Sequence, residues 1–369
     1  MKIAQIAPLM ESVPPKLYGG TERIVSYLTE ELVRQGHEVT LFASGDSQTA
    51  AELVPGAERA LRLDGVKDPL PYYSILLDEV RRRAPDFDVL HFHIDYLHFP
   101  LFRAMSWRAM TTLHGRQDLP DLQPLYHAFD DMPVTSISLH QRRPLPQARW
   151  IANIAHGLPV NLYPFTPAPR GGYLAFLGRI SAEKQPDHAI EIARRSGLPL
   201  KIAAKVDKAD QEYFEARIKP LLGQPGVEFI GEIGDADKAA FLGNAAALLF
   251  PIDWPEPFGL VMIEAMACGT PVVAYRSGSV PEIIQDGVTG FVVGDVDEAV
   301  AAVGRLGELD RAQVRRSFER RFSAERMAKD YVATYRALLE EGSSLLRARG
   351  VATTGRASPA GGPEQAAIA

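Results

Sequence analysis

Short apolar runs rich in β-branched residues alternate along this chain with segments of helical period, and that alternation constrains the fold more than any other feature. A helix placed between two strands returns the chain to the starting edge of a sheet, so consecutive strands must run parallel. The class is therefore α/β with doubly wound parallel sheets. Residues 2–7 read as a buried strand. Ile24, Val25, Leu28 and Leu32 recur at helical spacing behind Thr21, taken as the N-cap, and Gly36 stops that helix before a strand at 39–43. Further strands are predicted at 89–93, 110–113, 134–137 and 151–154.

The series is interrupted once. Tyr163-Pro164-Phe165-Thr166-Pro167-Ala168-Pro169-Arg170-Gly171-Gly172 breaks any regular element. Strands are then predicted again at 173–177, 200–204, 227–230, 247–250, 272–274 and 290–293. At 369 residues the chain has room for two domains of ordinary size. The expected division is a first domain over 1–165 and a second over 166–322. A final helix at 323–342 follows, with Met327, Tyr331, Tyr335 and Leu338 on its apolar face, and then a disordered tail at 343–369 poor in residues to bury. Two such sheets in tandem leave their strand ends facing a common cleft, the natural ligand site.

Composition narrows the function. A net charge of −6 argues against a nucleic-acid grip, and a single cysteine, Cys268, read as a small core residue, excludes an internal disulfide. No run approaches the ~20 apolar residues of a membrane span, and the chain enters its first strand directly from Met1. A cytoplasmic protein without a transmembrane segment is expected. Neither a G-x-G-x-x-G after a strand nor a Walker loop is present. The triplets Asp86-Phe87-Asp88 and Asp235-Ala236-Asp237 read as turn and cap residues, and Arg81-Arg82-Arg83 as a solvated helix end.

Four segments can carry chemistry. In Leu248–Gly269 a buried strand feeds a Pro/Gly loop and then a short helix, whose first amides at 259–262 would attract an anion. Glu256 and Glu264 can lie beside that anion without pairing with it, as acceptors for hydroxyls; the plainer reading makes them solvated surface residues. Arg179 and Lys184 follow a strand end at Gly178, and a guanidinium with an ammonium suits a diphosphate. Tyr18-Gly19-Gly20-Thr21 lets backbone approach a ligand closely. His91 and His93, with Asp95 beyond them, and His114 stand at strand ends. They read as polar contacts at an acceptor pocket, a hydrogen-bonded buried histidine being the alternative. No H-E-x-x-H or cysteine pair supports a metal there.

Together these residues resemble a known family. Glu256-Pro257-Phe258-Gly259-Leu260 … Glu264-Ala265-Met266-Ala267-Cys268-Gly269 is similar to the Glu-x7-Glu signature of retaining nucleotide-sugar glycosyltransferases of the GT-B fold, family four. Gly178-Arg179 … Glu183-Lys184 resembles the family's donor phosphate clamp. Gly19-Gly20-Thr21-Glu22 with Gly36-His37-Glu38-Val39 resembles its first loop, helix and second strand, and Gly278-Ser279-Val280-Pro281-Glu282 … Gly290-Phe291 the segment after the signature helix. His156-Gly157-Leu158-Pro159 departs from the Asn-Gly-acid of many relatives, and Lys205 ends a strand that in relatives often enters a glycine-rich loop.

The resemblance implies two Rossmann-like domains, the N-terminal one for the acceptor and the C-terminal one for the nucleotide sugar, with the final helix crossing back over the junction. It implies that Glu264 holds ribose hydroxyls, Arg179 and Lys184 the diphosphate, and Glu256 with the loop Pro257, Phe258, Gly259, Leu260 and Val261 the donor sugar. Gly19 and Gly20 approach the phosphates, Gly231 and Glu232 lie at the base, and His114 lies near the reacting sugar. Arg179, Lys184, Glu256 and His114 form the catalytic set on this reading, and His91, His93 and Asp95 touch the acceptor. The implied reaction is transfer, with retention and without a required metal or other cofactor, from a UDP- or GDP-sugar to a hydroxyl of a sugar, lipid-linked or small-molecule acceptor. A monomer or homodimer is expected, and no nucleic acid. A GT-B sugar phosphorylase, a nucleotide-sugar epimerase or a non-catalytic binder are the alternatives.

Overall fold

A computed structural model describes residues 1–16 and 19–348. It contains two parallel sheets. The first has seven strands, β1 (Lys2–Ile6), β2 (Glu38–Ser44), β3 (Glu52–Ala57), β4 (Val89–Phe92), β5 (Ala109–Thr112), β6 (Pro133–Ser136) and β7 (Arg149–Asn153), in the order β3-β2-β1-β4-β5-β6-β7. The second has six, β8 (Leu174–Arg179), β9 (Leu200–Lys205), β10 (Val227–Gly231), β11 (Ala247–Phe250), β12 (Val272–Tyr275) and β13 (Gly290–Val293), in the order β10-β9-β8-β11-β12-β13. Helices cover both faces, so central strands such as β11 and β12 are buried along their whole length and read as continuous apolar runs.

Three local expectations are corrected. β3 lies inside a stretch read as loop: Pro55 and Gly56 hide it, yet it is the edge strand of its sheet, where a missing N–H disrupts no further pairing. The first helix, Gly20–Arg34, is preceded by Gly19 and has no side-chain cap, so Thr21 falls in its first turn instead of capping it. The last helix does not end at 342 but continues over Ala324–Ala348, with Ser344 donating to the Glu340 carbonyl at 3.0 Å. Gly342 is a contact residue there, not a terminator: a Cβ would stand 2.6 Å from the Trp107 carbonyl oxygen. The remainder of the expected tail, 349–369, lies outside the described residues.

That last helix leaves the second sheet's side of the molecule and packs on the first. Leu158 and Ser323 form a parallel bridge, and Tyr331 and Tyr335 reach Thr112 and His91 in the first sheet at 2.9 and 2.7 Å. Among the described residues no helix is long and apolar enough to cross a membrane.

Candidate functional site

Strand order reverses between β1 and β4 in one sheet and between β8 and β11 in the other. Loops leaving such a pair of strands diverge to opposite faces and open a crevice at the strands' carboxyl ends. The two crevices face each other across a cleft of about 910 Å³.

Loops after β8 and β11 build the C-terminal wall. Gly259, at φ +80°, precedes the helix Leu260–Ala267; a Cβ there would lie 2.7 Å from Met262 Cε, so glycine is the residue that fits. Among the described residues no side chain caps this helix; the Met262 amide donates to the Gly259 carbonyl at 3.0 Å, which leaves the amides of Leu260 and Val261 to meet an anion. Lys184 pairs with Glu256 Oε2, which also accepts from Trp254 Nε1 at 3.0 Å, while Lys184 Nζ lies 4.9 Å from the centre of the Trp254 ring. Arg179 meets Glu183 at 2.7 Å and Asp210 at 3.5 Å. Glu264 is buried and accepts from Tyr163 Oη and Lys238 Nζ, both at 3.2 Å. Cations and carboxylates thus stand in pairs, ready to exchange partners with a ligand carrying both phosphate and hydroxyl groups.

Gly19 and Gly20 begin the N-terminal wall. A Cβ on Gly20 would come 3.6 Å from Leu260 Cδ1, so the starts of the two helices confront each other across the cleft. Tyr18 lies outside the described residues. Arg23 of the first helix pairs with Asp235 of the other wall. Burial alone would push the Asp235 carboxyl up, but Arg23 and Lys238 outweigh it and hold it below the usual carboxylate range. Burial, with Glu11 nearby, raises Glu22.

Histidines behave differently from the expectation. His91 is fully buried, with Nδ1 on Tyr335 Oη and Nε2 on Thr112 Oγ1, both at 2.7 Å. His93 uses Nδ1 on His114 Nε2 at 2.9 Å and Nε2 on Gln5 Oε1 at 2.7 Å. Neither lines the cleft, and all four of their ring nitrogens already have partners, which fits the alternative reading of hydrogen-bonded buried histidines better than contact with an acceptor. Asp95, exposed after β4 at φ +52°, also stands outside the cleft lining. His114 does line it, with Nδ1 unpartnered among the described residues and burial pushing its pKa down to about 3.

Of the remaining predicted residues, Arg179, Lys184, Glu256, Gly19, Gly20, Glu232, Pro257, Phe258, Gly259, Leu260, Val261 and Glu264 all line this one cleft; Gly231 stands just behind Glu232 and does not. Sequence reasoning missed Trp254, Lys238, Arg23 and Tyr163. Only Trp254, two residues before Glu256, carried a local signal; the others depend on contacts far apart in the chain. Asp235 opens a helix, as read, but its side chain faces Arg23, and Asp88 accepts from the Lys2 amide at 2.7 Å. Cys268 is buried, its thiol pushed up to about 12 by burial. Among the described residues no group of three or more His, Cys, Asp or Glu could hold a metal ion.

Comparison with known proteins agrees with this geometry. A family model described as glycosyl transferases group 1 matches residues 167–321, and one described as glycosyltransferase family 4 matches residues 18–158. The phosphatidyl-myo-inositol mannosyltransferase of Mycobacterium leprae is 26% identical over 326 residues, covering 82% of this chain and 86% of its own. The D-inositol 3-phosphate glycosyltransferase of Actinosynnema mirum is 27% identical, covering 74% and 80%. Among solved structures, AviGT4, a glycosyltransferase involved in avilamycin A biosynthesis, superposes with a TM-score of 0.68 at 26% identity over 92% of this chain and 98% of its own. Anabaena HepE, solved with UDP and glucose, shares the fold with a TM-score of 0.68 at 18% identity, over 90% and 99%. Two facing α/β units, one cleft at both switch points and a family model on each side of it make the chain a glycosyltransferase of the GT-B fold, and it belongs to family four.

Proposed function

We propose that the chain moves a sugar from a nucleoside-diphosphate sugar to an acceptor hydroxyl, with the anomeric configuration retained. The observation that carries this reading is the convergence of Arg179, Lys184 and the uncapped start of the Leu260–Ala267 helix on one side of the cleft, with Glu264 one turn further on. When the bond from sugar C1 to phosphate breaks, negative charge grows on the departing diphosphate, and these are fixed donors where it grows.

The paired charges give each carboxylate a role. A diphosphate oxygen draws Lys184 from Glu256, and the freed Glu256, still held by Trp254, accepts from a hydroxyl of the transferred sugar beside the amides of the Phe258–Leu260 loop. Ribose hydroxyls take the place of Lys238 on Glu264, and Glu232, with Gly231 behind it, flanks the base. Gly19 and Gly20 close on the phosphates from the other wall. The departing phosphate oxygen takes the proton of the incoming hydroxyl on the same face, so no side chain acts as covalent nucleophile.

HepE shows that the fold can seat UDP beside glucose, which supports a UDP- or GDP-sugar donor. Two relatives are named for inositol-bearing acceptors, so inositol and its phosphates head the acceptors to try against the N-terminal wall. The test is NMR of the product's anomeric proton after incubation with UDP-glucose or GDP-mannose and these acceptors. Product with the donor's configuration is expected; an inverted centre overturns retention, and failure of every donor to release its nucleotide overturns the transfer reading.

A further inference from the structure

A chain of hydrogen bonds fixes the protonation of His114. Gln5 Nε2 donates to Tyr335 Oη at 3.1 Å, so Gln5 Oε1 is the acceptor for His93 Nε2–H. The other nitrogen of a neutral His93 must then accept, and it does so from His114 Nε2–H at 2.9 Å. His114 Nδ1 is left with a lone pair and no partner among the described residues.

His156 stands beside it in a similar condition. It is 4% exposed, its Nδ1 is also unpartnered among the described residues, and its ring stacks on His114 with centroids 5.2 Å apart and planes 19° apart. The edge of Phe258, in the loop assigned above to the donor sugar, packs 4.8 Å from the His156 ring. Both histidines line the cleft. Burial drives both rings well below the ordinary imidazole value, so they stay neutral: His114, its Nε2–H already given to His93, offers the Nδ1 lone pair, and His156 carries one donor and one acceptor.

The backbone beneath His156 is clamped. Arg326 donates to the carbonyls of Ala155 and His156 at 2.6 and 3.1 Å. A Cβ on Gly157 would lie 2.3 Å from the Ser323 carbonyl oxygen, and the Leu158 amide donates to Phe322 at 2.9 Å. Polar atoms buried without partners are costly, and a clamped side chain keeps them that way only where something else completes the bond.

We propose that His156 is a second sugar-binding imidazole, which together with His114 hydrogen-bonds hydroxyl groups of the transferred sugar next to Phe258. The assignment rests on the transfer reading above and adds a residue to it. A phenylalanine at 156 would keep the bulk and the ring contacts and remove both nitrogens; an asparagine would keep a donor and an acceptor.

Calorimetric titration of wild type, His156→Phe and His156→Asn with UDP, GDP, UDP-glucose and GDP-mannose, without acceptor, tests it. His156→Phe is expected to bind the free nucleotide within twofold of wild type and the matching nucleotide sugar about tenfold more weakly, with His156→Asn recovering part of the loss. Equal binding of the nucleotide sugar by wild type and His156→Phe overturns the proposal. So does an equal loss for nucleotide and nucleotide sugar, which marks a structural role. If wild type binds none of the four, the transfer reading falls, and the assignment with it.

Discussion

The two walls of the cleft are built on the same plan and solve the problem of polar groups in opposite ways. On the C-terminal side carboxylates and cations stand in pairs at the rim: Lys184 with Glu256, Arg179 with Glu183, Lys238 with Glu264. On the N-terminal side the rings are neutral: His91, His93 and His98 lie buried behind the wall, hydrogen-bonded to Thr112, Gln5, Tyr335 or Thr111, and His114 and His156 carry the neutral imidazole to the cleft itself. His188 is the one histidine after residue 172. Paired charges can be exchanged for a ligand's charges at little net cost, whereas neutral imidazoles discriminate by hydrogen-bond geometry. The difference suits the proposed division between a wall for the diphosphate and a wall for hydroxyls.

Acid should separate the two walls most strongly. Burial lowers the pKa of His91, His93, His98 and His156 below the ordinary value of 6.5. Below pH 6.5 the unfolded chain therefore binds more protons than the folded one. The stability due to these neutral rings is complete above that pH and falls as acid is added. Because all four rings belong to the first-sheet side, acid weakens that side more than the second sheet, which carries none of them. Hydrogen exchange read by mass spectrometry between pH 7 and 5 should show the first sheet and the Ala324–Ala348 helix opening before the second sheet. Simultaneous opening, or protection unchanged to pH 5, would break the contrast.

Next in size are the cations of the charged wall. On the proposed reading Lys184→Ala removes a donor to the departing diphosphate, and it leaves Glu256 with Trp254 alone, so kcat should fall about 10²–10³-fold. Glu264→Gln should weaken nucleotide binding about tenfold while kcat changes less, because the ribose contact proposed for it would be made equally in ground and transition states. Steady-state kinetics on both variants check this pair. Small and equal losses would mean that the charged wall does not divide binding from chemistry.

Gly342 gives a smaller effect with an unambiguous sign. Alanine is the better helix former by about 1 kcal/mol, so propensity alone says that Gly342→Ala stabilises the protein. The structure says the reverse, since the new Cβ would stand 2.6 and 2.7 Å from Trp107 O and Cβ, where the last helix docks on the first sheet. A net loss of about 1–2 kcal/mol in denaturant unfolding is expected. A gain would show that this helix is not held against the histidine-bearing sheet as described.

The same glycine shows what the sequence can and cannot tell. Periodicity located twelve of the thirteen strands because each is a compact apolar run between breakers, and it failed at β3, where Pro55 and Gly56 sit in an edge strand. Motif spacing found the charged wall, since Arg179 and Lys184, and Glu256 and Glu264, are each held by a single loop-helix unit. It failed on the neutral wall. The role of His91 is set by Tyr335, 244 residues away, and that of His93 by Gln5, 88 residues away. Local chemistry is legible locally; a hydrogen-bond network closed by the last helix is not.

Arg23 and Asp235 join the two walls directly, and the size of their coupling decides whether the walls move as one. Asp235 is 44% exposed on its side chain, so water screens the pair and the attraction is reduced accordingly. A double-mutant cycle with Arg23→Gln and Asp235→Asn should give a coupling below about 1 kcal/mol that shrinks further in 0.5 M salt, and nucleotide affinity should change less than threefold. A coupling near 3 kcal/mol, insensitive to salt, would mean that the pair is sealed from solvent and locks the cleft. In that case opening the walls, not exchanging partners within one of them, would control entry of the donor.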